Sequence, residues 1–427
     1  MRRRVAVTGL GVVSPVGNDV PAFWQSLLAG QSGVDFITDF PTEKLRSDIC
    51  ASVKGFDPGR YLSRKEVEIY GRVTQLSLAA AVEAMAHAGL GALLREGEDA
   101  PPRDVPGLGL DRRDMGCLIS TGQGSVDIFE AQIARSNERG PRAVSPYFIP
   151  GVMPNSGAAL VTMRYGLMGP SYNIASACAT GTHSIATSAM MIEAGDAEAM
   201  IAGGAEAATR LNTVAGFGNA RALARALDGD PRRASRPFDK RRSGFVMGEG
   251  AGALVLEAED HARARGAKIL GYVAGWGMTS DGEHLTRPNP EGAGLALSIA
   301  RALRRAGIGP AEIGYINPHA TSTTQGDLAE YHALHGVFGD RLASIPMSAT
   351  KSMIGHLLGG AGAVESIATV CSLVDQTLHP SINVDELDPI FAIDLVRERR
   401  RADLRYALKA SAGFGGHNCA LVFERGS

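Results

Sequence analysis

Short, almost unbroken apolar runs recur along the chain between longer stretches with helical spacing. The runs at 5–7, 116–121, 199–204, 251–256, 269–274, 315–317, 344–347, 406–410 and 420–423 read as buried strands. Between them, 20–28, 75–88, 182–193, 294–306, 327–337 and 359–374 carry the periodicity or the small-residue richness of helices, and 260–265 reads as a short charged helix. Strands alternating with helices of this length predict an α/β architecture with buried sheets. Residues 35–57 read as irregular surface structure and 144–164 as pocket-lining turns followed by a helix. The charged, proline-containing stretch 93–110 reads as a surface loop or insertion. Residues 176–189 and 348–365 both run from Ser-Ala through glycines into an Ala-rich helix, an internal echo. A duplicated fold would set two such turns face to face around a shared site.

Length and charge narrow this picture. A chain of 427 residues suits two domains or one large double domain. A formal net charge of −2 disfavours nucleic-acid binding as the main role. The five cysteines, at 50, 117, 178, 371 and 419, are scattered and form no C-x-x-C pair. That pattern fits reduced thiols in the cytoplasm and argues against zinc. The basic start, Arg2 to Arg4, precedes too short an apolar run for a signal peptide, and no run reaches the length of a membrane span. The turn after the first strand resembles a dinucleotide-binding loop but lacks the third glycine, and Ser14-Pro15 interrupts helix formation.

Candidate chemistry centres on Ser176-Ala177-Cys178-Ala179-Thr180-Gly181, which opens a buried helix. A cysteine at a helix start faces unpaired backbone N–H groups, so a lowered thiol pKa is expected there. Alone it reads equally as a small core filler. Of ten histidines, two stand out by context. His319 follows a strand in Asn317-Pro318-His319-Ala320-Thr321-Ser322-Thr323, and His356 ends the polar turn Thr350-Lys351-Ser352-Met353-Ile354-Gly355-His356. Functional side chains concentrate on such loops. His332 and His335 share a helix face without a third metal ligand, while His87, His261 and His379 read as surface or loop residues. Phe414, in Gly413-Phe414-Gly415-Gly416, could aim backbone N–H groups at an oxyanion. Residues 232–242, Arg-Arg-Ala-Ser-Arg-Pro-Phe-Asp-Lys-Arg-Arg, read as a solvated basic loop or as a landing site for an acidic partner.

In combination, the motifs around Cys178, His319 and Lys351–His356, with Ala234 to Asp239, Asp281 to Thr286 and the Phe414 loop, resemble the elongating β-ketoacyl-acyl carrier protein synthases nearly end to end. The likeness extends to the catalytic ketosynthases of type II polyketide systems. The resemblance implies a thiolase-like fold, duplicated βαβαβαββ halves in an αβαβα five-layer core, with residues 1–258 carrying the cysteine and 259–427 the two histidines. It implies a decarboxylative Claisen condensation of an acyl thioester held on Cys178 with malonyl-acyl carrier protein, giving a 3-oxoacyl product. The N–H groups of Cys178 and Phe414 would form the oxyanion hole, and His319 and His356 would stabilise the enolate. Lys351 and Glu365 would support that pair, and Thr286, Thr321 and Thr323 would contact the phosphopantetheine arm of the carrier protein. No cofactor or metal is implied. The expected partners are acyl carrier protein and a second chain, either its own copy or a related ketosynthase-like subunit of chain-length-factor type.

Gln123, where many members place a branched apolar residue, is expected to border the acyl tunnel. Together with Ala412, which replaces an aromatic, it points to an unusual polyketide or polyene acyl chain. A thiolase would need a second cysteine where Phe414 stands. A cysteine hydrolase would leave Lys351 and His356 without a role, and a non-catalytic partner subunit would lack the nucleophile.

Overall fold

The computed structural model describes residues 2–93 and 110–426, so nearly all of the expected loop over 93–110 lies outside the described residues. Ten strands carry the fold: β1 (Val5–Val13), β2 (Met115–Ser120), β3 (Ala199–Glu206), β4 (Gly250–Ala258), β5 (Gly271–Ser280), β6 (Ile313–Asn317), β7 (Pro346–Met347), β8 (Asp394–Leu395), β9 (Tyr406–Gly413) and β10 (His417–Arg425). They form one mixed sheet in the order β8-β7-β6-β9-β10-β5-β1-β4-β3-β2. Its two leaves meet where Ala6 and Val7 of β1 pair with Tyr272 and Gly271 of β5.

The helices that matter for the site are α1 (Val20–Leu28), α2 (Arg72–His87), α3 (Val126–Arg139), α4 (Ser156–Tyr165), α5 (Thr180–Ala194), α6 (Leu211–Asn219), α7 (Ala293–Ala306), α8 (Thr324–Phe338), α9 (Lys351–Ile354) and α10 (Ala361–Asp375). Helices α5 and α10 touch strands of both leaves and each other. Helices α2 and α4 cover the outer face of the β1–β4 leaf, and α7 covers β5 and β10 with α8 packed beside it. Five layers, αβαβα, result. The first repeat, β1-α2-β2-α4-α5-β3-β4, ends at Ala258, and the second, β5-α7-β6-α8-β7-α10-β9-β10, begins at Gly271.

The middle layer explains the composition of its helices. Every residue from Ala361 to Leu373 is buried, so α10 is enclosed all round rather than striped. The stretch Leu358–Asp375 has the length and hydropathy of a membrane span, yet 89% of it is buried inside the protein as a core helix. Each fully buried Val, Ile or Leu there contributes about 1.5–3 kcal/mol. The two central helices cross through glycines. A Cβ on Gly362 would lie 2.0 Å from Thr182 Oγ1, and one on Gly181 would lie 2.9 Å from the Ala363 nitrogen. Both helices are preceded by a single 3₁₀ turn, Ala177–Ala179 and Leu358–Gly360, with a non-glycine residue at positive φ: Ala177 at 50° and Leu358 at 46°. The internal echo is therefore structural, but its register pairs Ala177 with Leu358, not Ser176 with Ser348.

Two readings are corrected here. The basic segment 232–242 is only partly solvated: several of its charges are neutralised within the chain, while Arg232, Lys240 and Arg241 stay exposed. Arg236 is fully buried and binds Asp239 (2.9 Å) and Asp385 (2.8 Å); Arg233 also reaches Asp385 (2.8 Å), Arg242 reaches Asp388 (2.7 Å) and Lys240 reaches Glu386 (2.9 Å). His379 is fully buried, not a surface residue: it meets Trp24 edge-on at 6.2 Å and Thr350 Oγ1 at 3.1 Å, and burial pushes its pKa down to about 4.

Candidate active site

Cys178 occupies the 3₁₀ turn that leads into α5, where Thr180 Oγ1 accepts the Ser176 N–H at 2.9 Å and ties the turn to the helix start. The loop between β9 and β10 closes over this turn. Gly413 must be a glycine, because a Cβ would lie 2.7 Å from the Ser176 carbonyl oxygen and 3.1 Å from the Cys178 nitrogen. Gly415 and Gly416 then take φ of 84° and 73°, and their backbones are clipped to the 281–289 loop: the Gly415 N–H donates to Leu285 O at 2.7 Å, and Gly416 O accepts from Asp281 N–H at 2.9 Å. This arrangement directs the backbone N–H groups of Phe414 and of Cys178 itself at the thiol sulfur. These are the positions from which a thioester oxyanion at that sulfur would be stabilised.

The expected lowering of the thiol pKa does not occur. Burial of Cys178 among apolar neighbours outweighs the Lys351 charge and the Phe414 N–H, and the pKa is pushed up to about 11. At neutral pH the group is a thiol.

His319 is fixed through its backbone. Its N–H donates to Glu330 Oε1 (2.6 Å), and the Ala320 N–H donates to Glu330 Oε2 (2.7 Å). One turn earlier on α8, Asp327 accepts the Ser322 N–H at 3.0 Å. These buried carboxylates hold a loop strained at Ala320 (φ 40°) and Ser322 (φ 70°). Lys351, on α9 and fully buried, donates to His319 O (2.6 Å) and to Glu365, and its Nζ lies 3.4 Å from His319 Nδ1. An ammonium only donates, so Nδ1 is the acceptor and the ring proton sits on Nε2. His356 follows Gly355 (φ 67°), and its ring stands edge-on to His319 and to Phe245, both at 5.3 Å. Both His356 ring nitrogens are buried without a hydrogen-bond partner. Burial first, and the Lys351 charge second, hold both imidazoles well below the ordinary histidine range, so both are neutral at pH 7.

Cys178, His319, His356 and Phe414 line one cavity of about 440 Å³, together with Thr286, Thr321 and Thr323. Thr321 and Thr323 share a 2.9 Å hydroxyl–hydroxyl contact, and Thr323 also caps α8 through the Gly326 N–H. Phe414, Phe217 of α6, Phe245 and His356 form a file of adjacent rings along one side. Lys351 and Glu365 lie behind this cavity. Glu365 is fully buried away from the lining and acts as counter-ion to two lysines. Gln123 does not wall the cavity either: its side chain is exposed just before α3, and only its N–H reaches inward, to Glu206.

Three residues that frame the site were not singled out from sequence. Glu206, at the end of β3, gathers the Thr121 hydroxyl and the N–H groups of Gly122, Gln123 and Gly359, joining the two halves beside the Cys178 turn. Glu330 clamps His319, and Lys409 of β9 lies 2.9 Å from Glu365 Oε2. The available signal was a charge inside an otherwise apolar strand, as in Tyr406-Ala407-Leu408-Lys409-Ala410 and at the end of Ala199 to Glu206.

The family models described as "Beta-ketoacyl synthase, N-terminal domain" and "Beta-ketoacyl synthase, C-terminal domain" match residues 2–262 and 270–385. A 3-oxoacyl-acyl-carrier-protein synthase 2 of Vibrio cholerae serotype O1 is 43% identical over 427 residues, covering 99% of each chain. Among solved structures, the type II PKS complex AntDE:AntF, an acyl-carrier protein with its ketosynthase bound to the hexaketide, matches with a TM-score of 0.90 at 31% identity over 100% of both chains. The ishigamide ketosynthase/chain length factor matches with a TM-score of 0.90 at 32% identity, again over 100% of both chains. The five-layer duplicated core is the thiolase fold of these ketosynthases. With a cysteine under two N–H donors and two neutral imidazoles lining the same cavity, the chain belongs to the β-ketoacyl synthase family, the acyltransferases that carry out condensation in fatty-acid or polyketide chain elongation.

Proposed function

We propose that the chain joins an acyl group on Cys178 to the two-carbon unit of malonyl-acyl carrier protein. The observation that carries this reading is the convergence on one cavity of a thiol beneath two N–H donors and two neutral imidazoles. In loading, Sγ attacks the incoming thioester carbon while the N–H groups of Cys178 and Phe414 take the negative charge on oxygen. With a thiol pKa about 11, the proton leaves as attack proceeds, through a neutral imidazole to the departing pantetheine sulfur. One thioester replaces another, so loading stays near energetic balance.

The malonyl thioester then occupies the vacated arm site beside Thr286, Thr321 and Thr323. Its C–C bond to the carboxylate breaks, carbon dioxide leaves, and the electron pair forms an enolate whose oxygen accepts hydrogen bonds from His319 Nε2 and from His356. Neutral donors suit this step, because they stabilise the developing charge without giving up a proton to the carbanion. The carbanion attacks the acyl-Cys178 carbonyl, the C–S bond to Cys178 breaks, the 3-oxoacyl thioester departs on the carrier, and the cysteine sulfur takes up one proton from solvent. The scheme uses no resident cofactor or metal.

The relatives' names support acyl carrier protein as the partner, and the reduced cysteines support a cytoplasmic setting. Phe129 (48% exposed), Ile133 (44%), Ile149 (60%) and Met163 (53%), on or near α3 and α4, leave an apolar face uncovered, which supports a second chain there. The solved ketosynthase/chain length factor favours, as a second reading, a related but distinct subunit over a second copy. Incubation with acyl- and malonyl-carrier proteins tests the proposal: carbon dioxide and 3-oxoacyl product should form one to one. Free acid without 3-oxoacyl product would refute it.

A further inference from the structure

Behind the two histidines lies a buried charge cluster larger than the reaction requires. Glu365 is shared by two ammonium groups: Lys351 holds Oε1, and Lys409 Nζ lies 2.9 Å from Oε2 while also donating to Ala410 O. All three side chains are essentially inaccessible to water. A single lysine would neutralise the carboxylate, but it would leave Oε2 without a counter-charge beside it in the protein interior; Lys409 supplies one as an ion pair, without hydrogen-bond geometry.

The surroundings of Lys409 come from every element packed on it. Glu365 faces it from α10, Lys351 from α9, Glu330 from α8 and Cys419 from the neighbouring β10. His319 and His356 feel its charge from their loops. Within this group the carboxylates Glu365 and Glu330 face Lys351 and Lys409, and the two imidazoles and Glu330 also line the cavity. Because Lys351 binds Glu365 on one side and His319 on the other, whatever fixes Glu365 also fixes the orientation of His319.

We propose that Lys409 is a positioning residue for the decarboxylation step: by pairing with Oε2 of Glu365 it holds Lys351 against His319. It touches no substrate. The inference rests on the condensation reading above, and it separates the two half-reactions. Loading of Cys178 depends on the Phe414 turn and on α5, neither of which Lys409 contacts through any hydrogen bond or ion pair of its side chain.

The test compares wild type with Lys409→Met and Lys409→Gln, following malonyl-thioester decarboxylation and Cys178 acylation separately between pH 5 and 9. Lys409→Met should lose roughly tenfold or more in decarboxylation kcat, a modest share of what a positioned acid–base group contributes. Acylation should stay within about threefold, and the acid limb of the decarboxylation profile should move up by about one pH unit, as expected when one nearby positive charge is removed. Lys409→Gln sets a neutral amide N–H group beside Oε2 in place of the charge, so it should keep most of kcat near pH 8 and still show the shifted limb. Parallel loss of both half-reactions with an unmoved acid limb would mean a merely structural role and would overturn the proposal. If Lys409→Met does not fold, Lys409→Gln alone decides through its acid limb. Wild-type activity falling away already near pH 6.5 would also overturn it. Wild type without any decarboxylation would instead reject the condensation reading.

Discussion

Replacing His319 by alanine removes one enolate donor while leaving its loop in place. The loop is held by backbone contacts, the N–H groups of His319 and Ala320 on Glu330 and the His319 carbonyl on Lys351, at 2.6, 2.7 and 2.6 Å. None of these uses the imidazole. What is lost is the Nε2–H aimed into the cavity, the outlying 3.4 Å contact of Nδ1 with Lys351, and the edge contact with His356 at 5.3 Å. The ring contact and the long hydrogen bond together amount to about 2 kcal/mol of stability, a shift of a few degrees in Tm. Loss of one preorganised oxyanion donor costs about 10²–10³ in rate, or about 2.7–4 kcal/mol at the transition state. Decarboxylation of malonyl-carrier protein, read as carbon dioxide release, should therefore fall by that factor, while acylation of Cys178, read by intact mass, changes by less than about threefold. Equal losses in both half-reactions, or unchanged decarboxylation, would refute the assignment of His319 to the enolate.

Other outcomes follow from the same geometry. Gly413→Ala places a methyl 2.7 Å from the Ser176 carbonyl oxygen and should slow Cys178 acylation at least tenfold, at a stability cost of about 1–3 kcal/mol; normal acylation would show that the Phe414 turn does not set the oxyanion hole. Because folding raises the Cys178 pKa to about 11, the reactive thiolate fraction grows with alkalinity, so iodoacetamide alkylation of this residue should still be rising at pH 9.5; a plateau near neutrality would contradict the buried-thiol account. Ile133→Asp, on the uncovered face of α3, should convert a dimer to a monomer in light scattering, and an unchanged mass would place the contact elsewhere.

The parts of this architecture that were legible in sequence are those where local pattern and tertiary role agree. Helix α1 was read over its whole span, and the core strands were read because burial on both faces gives unbroken apolar runs. Helix α3 was not read, since its apolar residues Phe129 and Ile133 remain uncovered within this chain and the segment is otherwise polar. The buried part of the basic segment 232–242 was not legible because charge alone does not reveal its partner: Asp385, Glu386 and Asp388 lie far along the chain. Cys178, His319, His356 and Phe414 were accessible as motifs, but their protonation states were not. A helix start argues for thiolate, whereas the apolar closure of the site, a three-dimensional property, makes it a thiol. Glu330 and Lys409 escaped notice for a related reason, since their importance lies in which backbone or carboxylate they meet across the fold.

The central claim is that Cys178 carries the acyl group through condensation. Intact-mass measurement after incubation with a panel of acyl-carrier proteins, for wild type and Cys178→Ala, tests it most directly. The account predicts a mass gain on wild type equal to each accepted acyl group and none on the variant, which should still release some carbon dioxide from malonyl-carrier protein. Formation of 3-oxoacyl product by the variant, or an acyl adduct on it, would contradict the account.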